Sequence, residues 1–396
     1  MTIHHLENTR YDLVRVESFD ALRGVLSVLV CIAHAWQIFV SNFEHSTSTT
    51  YFILGVIARG AVLCFFVLSG YVITLSIEKN IKRNNGFNFS DYVSARFWRI
   101  APPLLVVMVV TLILSLVLDF LGANKIPDSI VATRHVYNTN FSSQLGCLIS
   151  ACAFGDLTGK GFNGPLWSLA FEIQLYAISG VFTWLILSTK KIPYRLLGAF
   201  LFVIYVFHVL KLFHGFELNT QAVSYMCYFF GALMYFFYQK LNVVTVWIVV
   251  GVLSLIAGVT GFFANYQDLS ANMESASWLL FQLVVGGLLS FALIWIAKFG
   301  MLDRWKALGK YSYTLYIFHF PLMMFVYFLV FYYSPKFLSE HYALILLFSV
   351  MTTFFLTKQI GLLVEKPRVQ RDFFRDTVIR YLSKKAGKRI SRILPE

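Results

Sequence analysis

Ionisable residues are scarce within the apolar runs of this sequence, and each one is costly to hold there, so each is informative. The first run carries Arg23 and, eleven residues further on, His34. At about 100° per residue that spacing returns to nearly the same helix face, and the helix rise sets the imidazole roughly 16 Å beyond the guanidinium. One face of one helix would then carry a permanent cation and, deeper, a group that exchanges protons near neutral pH. Arg59 lies about eight residues into the second run and Glu172 about eight into the fourth, each roughly 12 Å from where its run begins. Counted from the opposite surface, His34 reaches a similar depth. Span register alone therefore predicts that His34, Arg59 and Glu172 converge on one buried polar site. A base, a cation and a carboxylate suit proton abstraction and stabilisation of a developing oxyanion. The same set suits a proton-coupled transporter, and a buried Arg–Glu pair or a hydrogen-bonded histidine can also serve only to fix helix packing.

The elements that must position these groups are membrane spans. Of the 396 residues, 58% are hydrophobic and only 13% charged, with 40 Phe and 21 Tyr. A soluble domain carries about 25% charged residues. Runs long enough to cross a bilayer as helix fall near 20–40, 51–77, 100–120, 164–187, 195–213, 221–238, 243–264, 275–297, 312–334 and 342–364. The expected fold is an all-α polytopic membrane bundle of about ten transmembrane helices, with 144–155 as a short interfacial or re-entrant helix. The residues before the first run are polar, no small-residue cleavage site follows it, and it reads as a retained span. The organisation is a leading segment 1–19, a transmembrane domain 20–364 and a basic tail 365–396 that suits an anionic inner leaflet. The five cysteines, Cys31, Cys64, Cys147, Cys152 and Cys227, lack metal-ligand spacing, and no metal is expected.

The net charge of +13 needs no nucleic-acid partner, because it follows the topology. With the N-terminus in the cytoplasm, 25 of the 33 Lys and Arg residues fall on that side and five opposite, the remaining three being Arg23, Arg59 and Lys358 inside spans. The positive-inside rule then places both termini in the cytoplasm and favours an even number of spans. Arg96 and Arg99 stand at the start of the third span, three apart and so on one face if helical. Arginine suits bidentate contact with phosphate, and Lys79, Lys82 and Arg83 extend the patch. Anionic lipid headgroups would suit it too.

Six blocks, in order, carry a family resemblance. They are SFDALRGVLSVLVCIAHAW (18–36), GAVLCFFVLSGYVI (60–73), ARFWRIAPP (95–103), GPLWSLAFEIQLY (164–176), LGKYSYTLYIFHFPL (308–322) and VEKP (364–367). Together they resemble the membrane-bound acyltransferase-3 family in its stand-alone form, without an appended hydrolase-like domain. The resemblance implies an integral membrane O-acyltransferase of glycans or lipid-linked glycans, with acyl-CoA, in the first place acetyl-CoA, as donor substrate and no permanently bound cofactor. It implies a cell inner membrane location. His34 would be catalytic base or acyl carrier and Arg23 its motif partner. Arg96 and Arg99 would contact the donor. Glu172, Trp167 and Tyr176 match a segment tied to activity or acceptor positioning, and Tyr316 and His319 match a block without an assigned role. Ala170 and Phe171 depart mildly from the family pattern. A transporter of a glycan or anionic small molecule is the alternative. Transporters often show internal repeats, and none is visible here. The sequence names neither the acceptor nor the oligomeric state.

Overall fold

A backbone segment in hydrocarbon must satisfy its own amide groups, which leaves the helix as the local solution for long apolar runs such as these. The structure, a computed structural model, describes residues 3–40, 49–123, 163–187, 220–237, 280–288 and 302–366, with a few further helical residues between and just after these segments. Among the described residues seven long helices organise it: α1 (Ile3–Phe39), α2 (Thr49–Asn84), α3 (Phe89–Phe120), α4 (Trp167–Leu187), α5 (Thr220–Phe237), α6 (Ser312–Tyr333) and α7 (Pro335–Val364). No strand occurs among the described residues. Six of their helical stretches are long and apolar enough to span a membrane: Ser18–Phe39, Ile53–Asn84, Phe89–Phe120, Gly164–Leu187, Ser312–Tyr333 and Pro335–Val364. This is a multi-pass membrane protein. α5 covers the expected run 221–238. The expected spans 195–213, 243–264 and 275–297 fall largely outside the described residues, and the 144–155 segment, Cys147 and Cys152 wholly so.

The outward faces fit a lipid surround. Along α3, Leu105, Val109, Ile113 and Phe120 are exposed while Val107, Thr111, Ser115 and Leu118 are buried. Along α7, Leu344, Phe348, Met351 and Phe355 face outward. Apolar stripes at helical spacing on the outside of a bundle are stable only where water is absent.

α2 and α3 run past the spans expected at 51–77 and 100–120. At 36 and 32 residues each exceeds the roughly 20 residues that a hydrocarbon core requires. The cation-rich stretch between them is therefore helical except for a tight turn, where Asn85 and Gly86 take positive φ of 51° and 156°. Asn80 closes this turn. Its side-chain amide donates to the Asn88 carbonyl at 3.1 Å and to Asp91 at 3.0 Å, and its oxygen accepts from the Asn88 N–H at 2.8 Å. Asn88 then caps α3 by accepting from the Asp91 N–H at 3.1 Å, satisfying one donor that a helix start leaves open.

α1 lies against α2, α6, α7 and the short helical segment 303–309. Ser27 Oγ donates to the Ser312 carbonyl at 2.9 Å, and seven residues on, His34 meets His319. Both pairs are separated by 285 residues, so α1 and α6 run parallel and in register. Close backbone approach fixes the frame. A Cβ on Gly309 would fall 2.3 Å from the Asp20 carbonyl oxygen, and one on Gly24 2.5 Å from Leu308 Cβ. α2 and α5 cross closer still, since a Cβ on Gly70 or Gly231 would lie 1.9 Å from the Tyr228 or Val67 carbonyl oxygen. Small residues allow such contact between membrane helices, where packing drives association in place of water.

Candidate active site

The first constellation is a pair of histidines. His34 is partly buried on α1 and His319 is fully buried on α6. His319 Nε2 stands 3.1 Å from His34 Nδ1, and its Nδ1 stands 3.0 Å from the Leu315 carbonyl oxygen. Phe320 packs edge-on against the His34 ring, with centroids 5.5 Å apart and planes at 82°. The hydrogen-bond ladder of α6 lacks one donor here: Pro321 has no N–H for the Ile317 carbonyl. The Asn163 side chain supplies the missing donor at 2.7 Å.

The second constellation is a cavity about one turn away along α6. It holds roughly 650 Å³ of space, its open mouth included. Arg23 enters it from α1, Ser69 and Phe65 from α2, Arg99 from α3, Ser168, Glu172 and Tyr176 from α4, and Ser312, Tyr313 and Tyr316 from α6. Arg23 is held by Asp20, one turn earlier on α1, at 2.6 Å. The Glu172 carboxylate accepts from Ser69 Oγ at 2.6 Å and from the Tyr176 hydroxyl. Two guanidiniums and one carboxylate thus share a concave space walled by aromatic rings. That is an anion-binding arrangement with a built-in counter-charge. Tyr316 forms the wall toward the histidines. Its hydroxyl meets Ser168 Oγ at 2.5 Å, and its ring centroid is 6.2 Å from that of His319.

Five of the ten residues singled out in the sequence therefore line one cavity: Arg23, Arg99, Glu172, Tyr176 and Tyr316. His34 and His319 form the pair beside it. Arg96, expected beside Arg99 at the donor, is not among the residues that line the cavity. Its guanidinium bonds Ser76 Oγ at 2.6 Å and lies over the Tyr92 and Tyr176 rings, 5.8 Å from each centroid. Arg59 stacks over Trp167 at 5.5 Å.

The expected convergence of Glu172 with His34 and Arg59 takes a different form, with Glu172 in the company of Arg23 and Arg99. The cause lies at the start of α4. A 3-10 turn at Gly164–Leu166 precedes the helix, with Gly164 and Pro165 buried, and Asn163 is tied to the midpoint of α6. The run begins inside the bundle, so counting from a membrane surface misplaces the carboxylate.

Sequence reasoning assigned no role to Ser69, Ser168, Tyr313 or Glu365, although each lies in a quoted block. Glu365 follows α7 and accepts from the Thr314 N–H at 2.6 Å. It thereby satisfies an open donor at the start of α6, where Tyr311 provides no side-chain cap. Burial pushes the Glu365 carboxyl up to about 7, against the opposing pull of the Thr314 hydrogen bonds and of Arg99. Among the described residues no group of three or more His, Cys, Asp or Glu is arranged around a metal position.

Comparison with known proteins gives a family. The acyltransferase domain family matches residues 16–358. An O-acetyl transferase of Shigella phage Sf6 is 27% identical over 322 residues, covering 78% of this chain and 85% of the phage protein. Peptidoglycan O-acetyltransferase OatA of Listeria monocytogenes is 25% identical over 345 residues, covering 80% of this chain and 50% of its own length. No solved structure matches.

Proposed function

The chain belongs to the acyltransferase-3 family, and from that premise we propose that it moves an acyl group, acetyl in the simplest case, from cytoplasmic acetyl-CoA to a hydroxyl of an extracytoplasmic glycan or lipid-linked glycan. The observation that carries this reading is the layout of α1. Its Arg23 enters the arginine-lined cavity, and its His34, eleven residues on, stands in the histidine pair. The donor's phosphates would meet Arg23 and Arg99 as charge-assisted hydrogen-bond partners. Glu172 balances the two guanidiniums while the cavity is empty of donor, and Tyr176 and Ser69 hold it. Arg96 braces α3 against α2 and α4 so that Arg99 faces inward. The pantetheine arm follows α1 and α6 past Tyr316, over a distance comparable to the roughly 16 Å of helix between the two motif residues.

At the far end the acceptor hydroxyl attacks the thioester carbonyl. A C–O bond forms and the C–S bond breaks. His34 takes the hydroxyl proton and returns it to the departing thiolate, so the protein ends as it began. Arg59, stacked on Trp167, is the candidate cation for the developing oxyanion on the acceptor side. In the other order of events His34 carries the acyl group for part of the cycle. Labelled acetyl-CoA mixed with purified protein in the absence of acceptor separates the two, since only the second leaves a stoichiometric acyl-protein. The names of both relatives support acetyl as the group, and that of the Listeria protein supports a glycan as the acceptor class. The cation asymmetry of the sequence supports an inner-membrane protein with both termini in the cytoplasm. The whole reading is tested by coenzyme A release from purified protein given acetyl-CoA and candidate glycans. Release that depends on acceptor and disappears in His34→Ala is expected. Equal release from the variant would remove His34 from the chemistry.

A further inference from the structure

We propose that His319 is the positioning residue that fixes the tautomer of His34, so that Nε2 of His34 is the nitrogen that takes the acceptor's proton. The inference rests on the assignment of His34 as the base. It begins at the Leu315 carbonyl, which can only accept. At 3.0 Å from it, His319 Nδ1 must carry a proton. A neutral imidazole has a single ring proton, and a charged ring in a fully buried position is costly. His319 Nε2 is then a lone pair. At 3.1 Å from that lone pair, His34 Nδ1 must be the donor. The proton on Nδ1 leaves Nε2 as the unprotonated nitrogen of neutral His34.

The chain of bonds runs from His34 through His319 to the backbone of α6, and the fold holds each link. α1 and α6 are pinned in register two turns away by Ser27 and the Ser312 carbonyl. Phe320 packs edge-on against the His34 ring, which opposes the half-turn that would put Cδ2 in the place of Nδ1 and break the bond to His319. Asn163 occupies the carbonyl that Pro321 leaves open, so α6 keeps its shape immediately beside His319. An orienting partner that fixes a catalytic imidazole is most familiar as a carboxylate. Here a second imidazole supplies the acceptor. When His34 becomes an imidazolium, its Nδ1–H still donates to His319, and the new proton on Nε2 is the one returned to the thiolate.

The test compares His319→Met, which keeps length and apolar bulk but offers no acceptor of comparable strength, with His319→Gln, whose Oε1 can accept from Nδ1. Both are measured for kcat, for KM toward acetyl-CoA, and for the pH dependence of kcat/KM. Folding is checked by thermal melting and gel filtration. His319→Met is expected to lose roughly a hundredfold in kcat, within the usual contribution of general acid–base catalysis, with KM for the donor within about twofold. Its acid limb should move. His319→Gln is expected to recover about tenfold of that loss. Nitrogen NMR of the wild-type protein labelled at histidine should show His34 protonated on Nδ1, a readout that does not depend on any variant folding. Wild-type kcat in His319→Met, or a His34 protonated on Nε2 in the wild-type protein, would overturn the proposal. If His34→Ala keeps its turnover, the base assignment itself has failed. If His34→Ala is inactive while His319→Met is unaffected, only this inference has failed.

Discussion

The cavity beside Arg23 and the histidine pair beyond it share the same two helices, α1 and α6, yet they are held together differently. The cavity draws charged and hydroxylated groups from five helices and sets two guanidiniums against one carboxylate. Its charged members are braced by neighbouring side chains: Asp20 on Arg23, Ser69 and Tyr176 on Glu172. The pair is two rings in direct contact, and its second ring is anchored to backbone. A site that must receive a polyanion needs fixed charge and room. A site that must move one proton needs a defined tautomer and a tight fit. On the proposed reading, the difference teaches that binding and chemistry are kept apart within the same bundle, with Tyr316 between them.

The comparison can be broken at each end. The largest effect is expected at the pair. His34→Ala should lower turnover by more than a thousandfold, toward the upper end of what a positioned base contributes, as measured by acceptor-dependent coenzyme A release. A result within tenfold of wild type would place the chemistry elsewhere. Next comes the frame that both regions depend on. Gly231→Ala drives a methyl group into the Val67 carbonyl and should cost about 3 kcal/mol, the upper range for overpacking. Loss of folded protein in detergent, seen by gel filtration and melting, is the expected readout, with both activities failing together.

At the cavity, Arg99→Ala should raise KM for acetyl-CoA by ten- to a hundredfold while kcat stays within a few fold. That range corresponds to the roughly 1.5–3 kcal/mol of a hydrogen bond to a charged group. A fall in kcat with KM unchanged would move Arg99 from the donor to the reaction.

The smallest effect concerns Glu365, at the start of α6. Burial raises its native carboxyl to about 7 from an ordinary 4.5, so between these values the folded state holds more protons than the unfolded one. Stability should therefore fall as pH rises from about 4.5 to 7, and the full cost should be present above that window. Glu365→Gln keeps an oxygen for the Thr314 N–H and removes the titration. The wild-type protein should lose a few degrees in Tm between pH 5 and pH 8 that the variant does not. Parallel melting curves would detach Glu365 from the pH response.

Much of this was legible in the sequence because it is written in local terms. The expected span 312–334 meets α6 at Ser312–Tyr333, and apolar run length is the reason. Arg23 and His34 share a face because both sit on one uninterrupted helix. The expected span 100–120 falls short of the start of α3, although Asn88 and Asp91 give a readable cap signal, because hydropathy marks only the apolar part of the helix and the extension is polar. The depth of Glu172 was not legible, since the Gly164–Leu166 turn is set by a contact with Ile317 on a distant helix. The pairing of His34 with His319 was hidden for the same reason: 285 residues separate them, and no periodicity within either helix says that α1 and α6 lie parallel and in register. The capping of α6 by Glu365 is likewise a contact between chain segments, invisible to local propensity.

The separation of donor binding from chemistry along α1 is the central claim, and one paired measurement tests it most directly. Equilibrium binding of coenzyme A and acetyl turnover are measured side by side on purified wild type, His34→Ala and the Arg23→Ala, Arg99→Ala double variant. The account predicts that His34→Ala binds coenzyme A like the wild type and turns over none, while the double variant loses at least a hundredfold in binding. Wild-type coenzyme A affinity in the double variant, or turnover that survives in His34→Ala, would contradict it.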